Sequence, residues 1–139
     1  MIRSMEYISV IILNKAFEER GLLANVTFVL GLSAGRELPS STFGSIVTDG
    51  DGRIHQALTN IGHHVRKAGG SKLASLRNEL ADMPDVQVID YTEDAAPADY
   101  DEYSRTLSKH KSEEIVYRAI HVYGPSAKII PLTKNLSRA

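Results

Sequence analysis

Near the C-terminus an apolar, strand-like run from Ile115 to Tyr123 ends on Gly124-Pro125, and an amphipathic helix-like segment starts at once. Proline fixes its own φ and suits the first turn of a helix, so a strand here must feed directly into a helix. A strand joined to a helix without a loop belongs in a layered α/β arrangement. The same junction is a candidate anion cradle, because the first N–H groups of a helix point outward unpaired. Ser126 would add a hydroxyl and Lys128 an ammonium to Gly124 and Pro125. The plainer reading is that Pro125 begins the helix and Ser126 faces water.

The remainder of the chain agrees with that architecture. Tyr7 to Leu13 is β-branched and nearly continuous in apolar character, as in a central strand covered on both faces. Residues Glu18 to Ala34 read as a helix, with Leu22, Val26, Val29, Leu30 and Ser33 near one face and Gly21 and Gly35 as punctuation. Ser45 to Thr48 and Arg53 to Ala57 flank Asp49-Gly50-Asp51-Gly52, a hairpin signal. That acidic turn lacks the third carboxylate and closing Glu of a calcium loop.

Gly62 to Ala68 reads as a strand. Ser71 then looks like the cap of a helix running to Met83, with Leu73, Leu76 and Leu80 at helical spacing. Val86 to Ile89 is a short strand, and Asp101 to Ser108 a short helix. The order predicts one α/β domain over residues 1–139. It is a three-layer sandwich, a mixed sheet of four to five strands with helices on both faces.

Composition narrows the function classes. The 139 residues carry a net charge of -1, so no global field draws the chain to nucleic acid or anionic lipid, although binding tRNA would need only a local basic patch. There is no cysteine, which removes disulfides, thiolate zinc sites and a Cys nucleophile and fits a reducing cytoplasm. The Tyr7 to Leu13 run is too short to span a membrane, and Glu6 and Ser9 interrupt a signal-peptide reading. The expectation is a soluble, unexported, cytoplasmic protein with no membrane partner, no cofactor and no metal.

Three further groups of residues invite chemistry. His63 and His64 are adjacent on a strand and point to opposite faces, so they cannot serve one ion, and His121 joins one of them only if their strands are neighbours. Glu93, Asp94, Asp99, Asp101 and Glu102 form the densest acidic stretch, a general base or cation site on one reading and a solvated loop on the other. Asn25 interrupts an apolar helix, either lining a cleft or satisfying a buried carbonyl.

The run Ala119-Ile120-His121-Val122-Tyr123-Gly124-Pro125, followed by Ile129-Ile130, Leu132-Thr133 and Leu136, resembles the closing segment of type II peptidyl-tRNA hydrolases. Closer still is the resemblance to an uncharacterised bacterial family with that hydrolase-like fold. It is carried by Leu23 to Phe28, Gly31 to Gly35, Tyr91-Thr92-Glu93, Asp101-Glu102 and Leu132 to Leu136. The resemblance implies a peptidyl-tRNA hydrolase II-like fold, a homodimer, and neighbouring entries to the first and last helices. Lys15, Arg20 and Lys128 would then converge on one phosphate.

Departures from the hydrolases weigh against their chemistry. They carry Lys after the helix-entry Gly, then Gln and His, where this chain has Leu22, Val26 and Val29, and their catalytic Asp-Ala-Gly-Arg-Thr-Gln segment is not recognisable. The expected function is therefore binding of a small anionic ligand between the two helix entries. The alternatives are a divergent aminoacyl-ester hydrolase and a non-catalytic interaction module.

Overall fold

The computed structural model describes residues 6–95 and 99–139. Met1 to Met5, part of the opening segment, and Ala96 to Ala98, part of the acidic stretch, lie outside the described residues. The strands are β1 (Tyr7–Asn14), β2 (Val47–Thr48), β3 (Ile54–His55), β4 (Gly62–Ala68), β5 (Gln87–Thr92), β6 (Tyr117–Pro125) and β7 (Ser137–Arg138). The α-helices are α1 (Arg20–Gly35), α2 (Gly70–Ala81), α3 (Tyr100–Ser108) and α4 (Ser126–Thr133). Among the described residues, no helix is long and apolar enough to cross a membrane.

Five strands form one mixed sheet in the order β5-β6-β1-β4-β7, while β2 and β3 pair separately. The central position expected for the first strand is borne out. β1 pairs in parallel with β4 and antiparallel with β6. Strand parity then sorts the side chains, since alternate residues face opposite sides. Ile8, Val10, Ile12, Ile120 and Val122 pack with Leu73, Leu76 and Leu80 of α2 and Ile129 of α4. On the other face Leu13, Ala119 and Tyr91 pack beneath Val26 and Leu30 of α1. Helices therefore cover both faces, as the alternating sequence predicts.

Several boundaries differ from the sequence reading. The expected Ser71 cap is displaced: Gly69 is the N-cap of α2, and Ser71 falls inside the first turn. β5 runs from Gln87 rather than ending at Ile89, because β6 offers partners as far as Tyr117. Between Tyr91 and Thr92 the register shifts, so Thr92 pairs with Tyr117 and Arg118 is the extra residue. That bulge turns Tyr117 onto the α2 face, where it joins the Leu73 cluster. β7, two residues on the edge of β4, leaves no periodicity to read.

The Asp-Gly turn forms as predicted. Asp49 Oδ1 accepts from the N–H of Asp51 at 2.9 Å and of Arg53 at 3.0 Å, and Oδ2 lies 2.8 Å from His55 Nε2. These bonds hold the Asp49 carboxyl below its ordinary pKa, and Gly52 supplies the positive φ of 87°.

Candidate functional site

Strand direction decides which predicted residues can meet. β6 is antiparallel to β1, with Tyr7 opposite Pro125 and Leu13 opposite Ala119. The entry to α1 follows the carboxyl end of β1, whereas the entry to α4 lies at its amino end. Eight residues of strand separate them, about 25 Å. The expected convergence of Lys15 and Arg20 with Gly124, Pro125, Ser126 and Lys128 is corrected: they stand at opposite ends of the sheet.

At the α4 end the geometry is architectural. A Cβ on Gly124 would lie 3.0 Å from Val86 Cγ2 and 3.1 Å from the Asp85 carbonyl oxygen, so the strand can pass there only without a side chain. Lys128 Nζ donates to Asp85 Oδ1 at 2.7 Å, a hydrogen bond that lowers the Asp85 pKa. The ammonium that was to serve an anion already faces a carboxylate. Pro125 is the N-cap of α4, and the helix starts without a side-chain capping bond.

The acidic stretch is used for structure. Asp99 caps α3 by accepting from the Glu102 N–H at 2.8 Å, and Asp101 and Glu102 occupy the first turn, where negative charge complements the positive end of the helix dipole. Asp94 Oδ2 sits 3.3 Å from His110 Nδ1, too poorly aligned for a hydrogen bond. Glu93 is exposed and its N–H bonds to the Val116 carbonyl at 3.0 Å. Asn25 is exposed on the outer side of α1, so neither the cleft nor the buried-carbonyl reading holds.

At the other end, two parallel strands finish side by side. β1 leads to α1 on one face, and neighbouring β4 leads to α2 on the opposite face. Such a reversal opens a crevice at the carboxyl ends of the strands. The first internal bond of α2 is Leu73 N–H to the Gly69 carbonyl at 2.9 Å, which leaves the N–H groups of Gly70, Ser71 and Lys72 free of the helix. Neither α1 nor α2 has an acidic residue in its first turn.

Lys15 crosses this entry, its Cε 3.6 Å from where a Cβ on Gly69 would stand. Beneath it Asn14, 2% exposed, ties the strands together. Its Nδ2 donates to the Tyr117 carbonyl at 2.9 Å, and its Oδ1 accepts from Ala16 N–H at 2.9 Å. Lys67 ends β4, Lys72 stands in the first turn of α2, and Arg20 begins α1 beside the exposed Glu18 and Glu19; neither these three cations nor Lys15 make an ion pair among the described residues. Sequence reasoning named Lys15 and Arg20 but missed Gly69 to Lys72. Its signal was a Gly-Gly-Ser-Lys run directly after a strand.

Sequence reasoning also missed a buried pair. Ser9 Oγ lies 2.5 Å from His121 Nε2, on the face shared by the odd-numbered residues of both strands. His121 is 3% exposed, and burial lowers its pKa to about 4, so the ring is neutral at ordinary pH. Its Nδ1 has no partner among the described residues, hence no carboxylate to stabilise an imidazolium. Ser9 sits mid-strand between β6 and β4, where the ladders occupy the surrounding N–H groups and leave no oxyanion donors. The pair does not form a nucleophilic centre. Among the described residues no group of three or more His, Asp or Glu side chains is arranged to hold a metal ion.

The fold and these two sheet ends define a single-domain α/β protein built on a five-stranded mixed sheet. A family model for a protein of unknown function, DUF2000, matches residues 9–138, and the chain belongs to that family. Its fold is similar to the solved structure of Atu0240, a protein of unknown function from Agrobacterium tumefaciens strain C58. The TM-score is 0.80 at 14% identity, covering 96% of this chain and 98% of that one. No curated protein matches the chain.

Proposed function

We propose that this protein binds a small anionic ligand, phosphate- or carboxylate-bearing, at the crevice where β1 and β4 end. The observation that carries this reading is Lys15 lying across the Gly69-Gly70 entry to α2. Free N–H groups, the positive end of the α2 dipole and an unpaired ammonium favour one anion there more than any other described part of the molecule. Lys67, Lys72 and Arg20 supply further positive charge at the same edge. The reading keeps the anionic ligand expected from the sequence and relocates it to the end of the sheet remote from Pro125.

The peptidyl-tRNA hydrolase II-like fold expected from the sequence belongs with this proposal. What supports it is β6 ending on Gly124-Pro125 and entering α4 without a loop. The hydrolase alternative gains nothing from the geometry, since Leu22 occupies the helix-entry position and the Ser9–His121 pair lacks a carboxylate. A cytoplasmic setting likewise rests on the cysteine-free composition alone.

Titration with inorganic phosphate, followed by amide chemical shifts, tests the site. Saturable movement of the Gly70, Ser71 and Lys72 amides is expected, weakened roughly fivefold in Lys15→Ala. Movement confined to Ser126 and Ala127, or none that saturates, would overturn the assignment.

A further inference from the structure

Arg118, the extra residue of the β5–β6 bulge, is half-buried and makes no ion pair among the described residues. Its Nε is buried without a hydrogen-bond partner, a costly state for a charged donor. Packing nevertheless holds the guanidinium in place: Cζ lies 4.8 Å from the centroid of the Phe17 ring, over its face. Phe17 is itself tied down, its N–H donating to the Asn14 carbonyl at 3.0 Å. A guanidinium stacked on a ring keeps its N–H edge available to another group. Glu18 and Glu19, which follow Phe17, are exposed and pair with nothing among the described residues.

A second polar atom at the bulge is equally unmet. Thr92, opposite Tyr117 in the ladder, is 1% exposed, and its Oγ1 has no partner. A bulge re-aims the side chains around it, and here it leaves two donors without an acceptor.

The bulge stands at the same end of the sheet as the anion site. Ala119 is opposite Leu13, and Asn14 is opposite Ala68, two residues before Gly70. The Asn14 amide reaches one way to the Tyr117 carbonyl, next to Arg118. Two strand spacings, about 10 Å, thus separate Arg118 from the strand that enters α2.

We infer that the ligand of this crevice is a phosphorylated carboxylic acid, with its phosphate at the α2 entry and Lys15 and its carboxylate on Arg118. The inference rests on the anion site proposed above and adds a second anchor to it. A phosphate needs several donors and suits the free N–H groups of a helix start. A carboxylate is planar and singly charged, so it matches the fork of Nε and one η nitrogen and costs less to bring to a half-buried place. The spacing asks for anionic groups on the order of 10 Å apart.

Titration of the full chain with 6-phosphogluconate and with sorbitol 6-phosphate, followed by amide and arginine side-chain shifts, gives the test. The second compound has a hydroxymethyl group where the first has its carboxylate. Both should move the Gly70, Ser71 and Lys72 amides, but only 6-phosphogluconate should move the Arg118 Nε–H resonance, and it should bind about tenfold more tightly. Arg118→Gln should erase that preference, and its amide response reports that the variant is folded. The comparison of the two compounds on the wild type stands whether or not the variant folds. Equal affinity for both, or a preference that survives Arg118→Gln, would overturn the second anchor and leave the anion site standing. No saturable movement of the Gly70 to Lys72 amides with either compound would overturn the anion site and this inference with it.

Discussion

His121 has a pKa of about 4 in the folded chain, because burial disfavours the imidazolium, against an ordinary value of 6.5. Between those values the unfolded state binds a proton that the folded state refuses. Stability therefore rises with pH through this window. The contribution is complete above the unfolded pKa and falls away as the solution is acidified toward the folded one. A gap of this size is worth about 3 kcal/mol in full, of which about 2 kcal/mol is lost by about pH 5.

Urea unfolding of the wild type and of His121→Gln, at about pH 7.5, 6 and 5, measures the term. Glutamine keeps a hydrogen-bonding group near Ser9 and removes the titration. Wild-type stability should drop by about 2 kcal/mol more than that of the variant over this range. His64, whose pKa is also lowered by burial and by Arg66, acts in the same direction in both chains and cancels. A difference below about 0.5 kcal/mol would refute the reasoning, since it would mean that the folded site accepts the proton at little cost.

Asn14→Ala removes both bonds of a buried amide and strands the Tyr117 carbonyl and the Ala16 N–H, a loss of about 2–3 kcal/mol by chemical denaturation. Gly124→Ala forces a methyl against backbone atoms of Asp85 and Val86, so about 2 kcal/mol should be lost, while Gly31→Ala costs nothing. Asp99→Ala deletes the α3 cap and should cost about 1 kcal/mol, seen as faster hydrogen exchange at the Glu102 amide. Lys128→Ala should leave phosphate binding unchanged while Lys15→Ala weakens it, and isothermal calorimetry of the two variants separates the ends of the sheet.

The elements were legible because their patterns are local. Tyr7 to Leu13 announces a buried strand, Leu73, Leu76 and Leu80 announce a helix face, and Asp49 to Gly52 announces a turn. Strand direction was not legible, because period-two alternation is the same whichever way a strand runs. The site reading depended on that one unreadable quantity. The pair Ser9 and His121 was hidden for the same reason: 112 residues separate them, and only the register of β1 against β6 sets them side by side.

Gly124-Pro125 illustrates how a junction can be diagnostic of a fold without being its site. The glycine is needed because Asp85 and Val86 come within 3.0–3.2 Å of where a Cβ would stand, and the proline because the chain must turn from strand to helix with no loop between. Both demands are met by packing, and the nearest cation is already matched by Asp85. At the opposite end the reverse holds. Gly69 and Gly70 let Lys15 and Asn14 lie against the α2 entry, and the lysines around it make no ion pair among the described residues. An unbalanced charge beside unpaired N–H groups is what a ligand can exploit, and a balanced one is not. Electrostatic balance, rather than motif likeness, thus separates the end of this sheet that holds the fold together from the end that has binding capacity to spare.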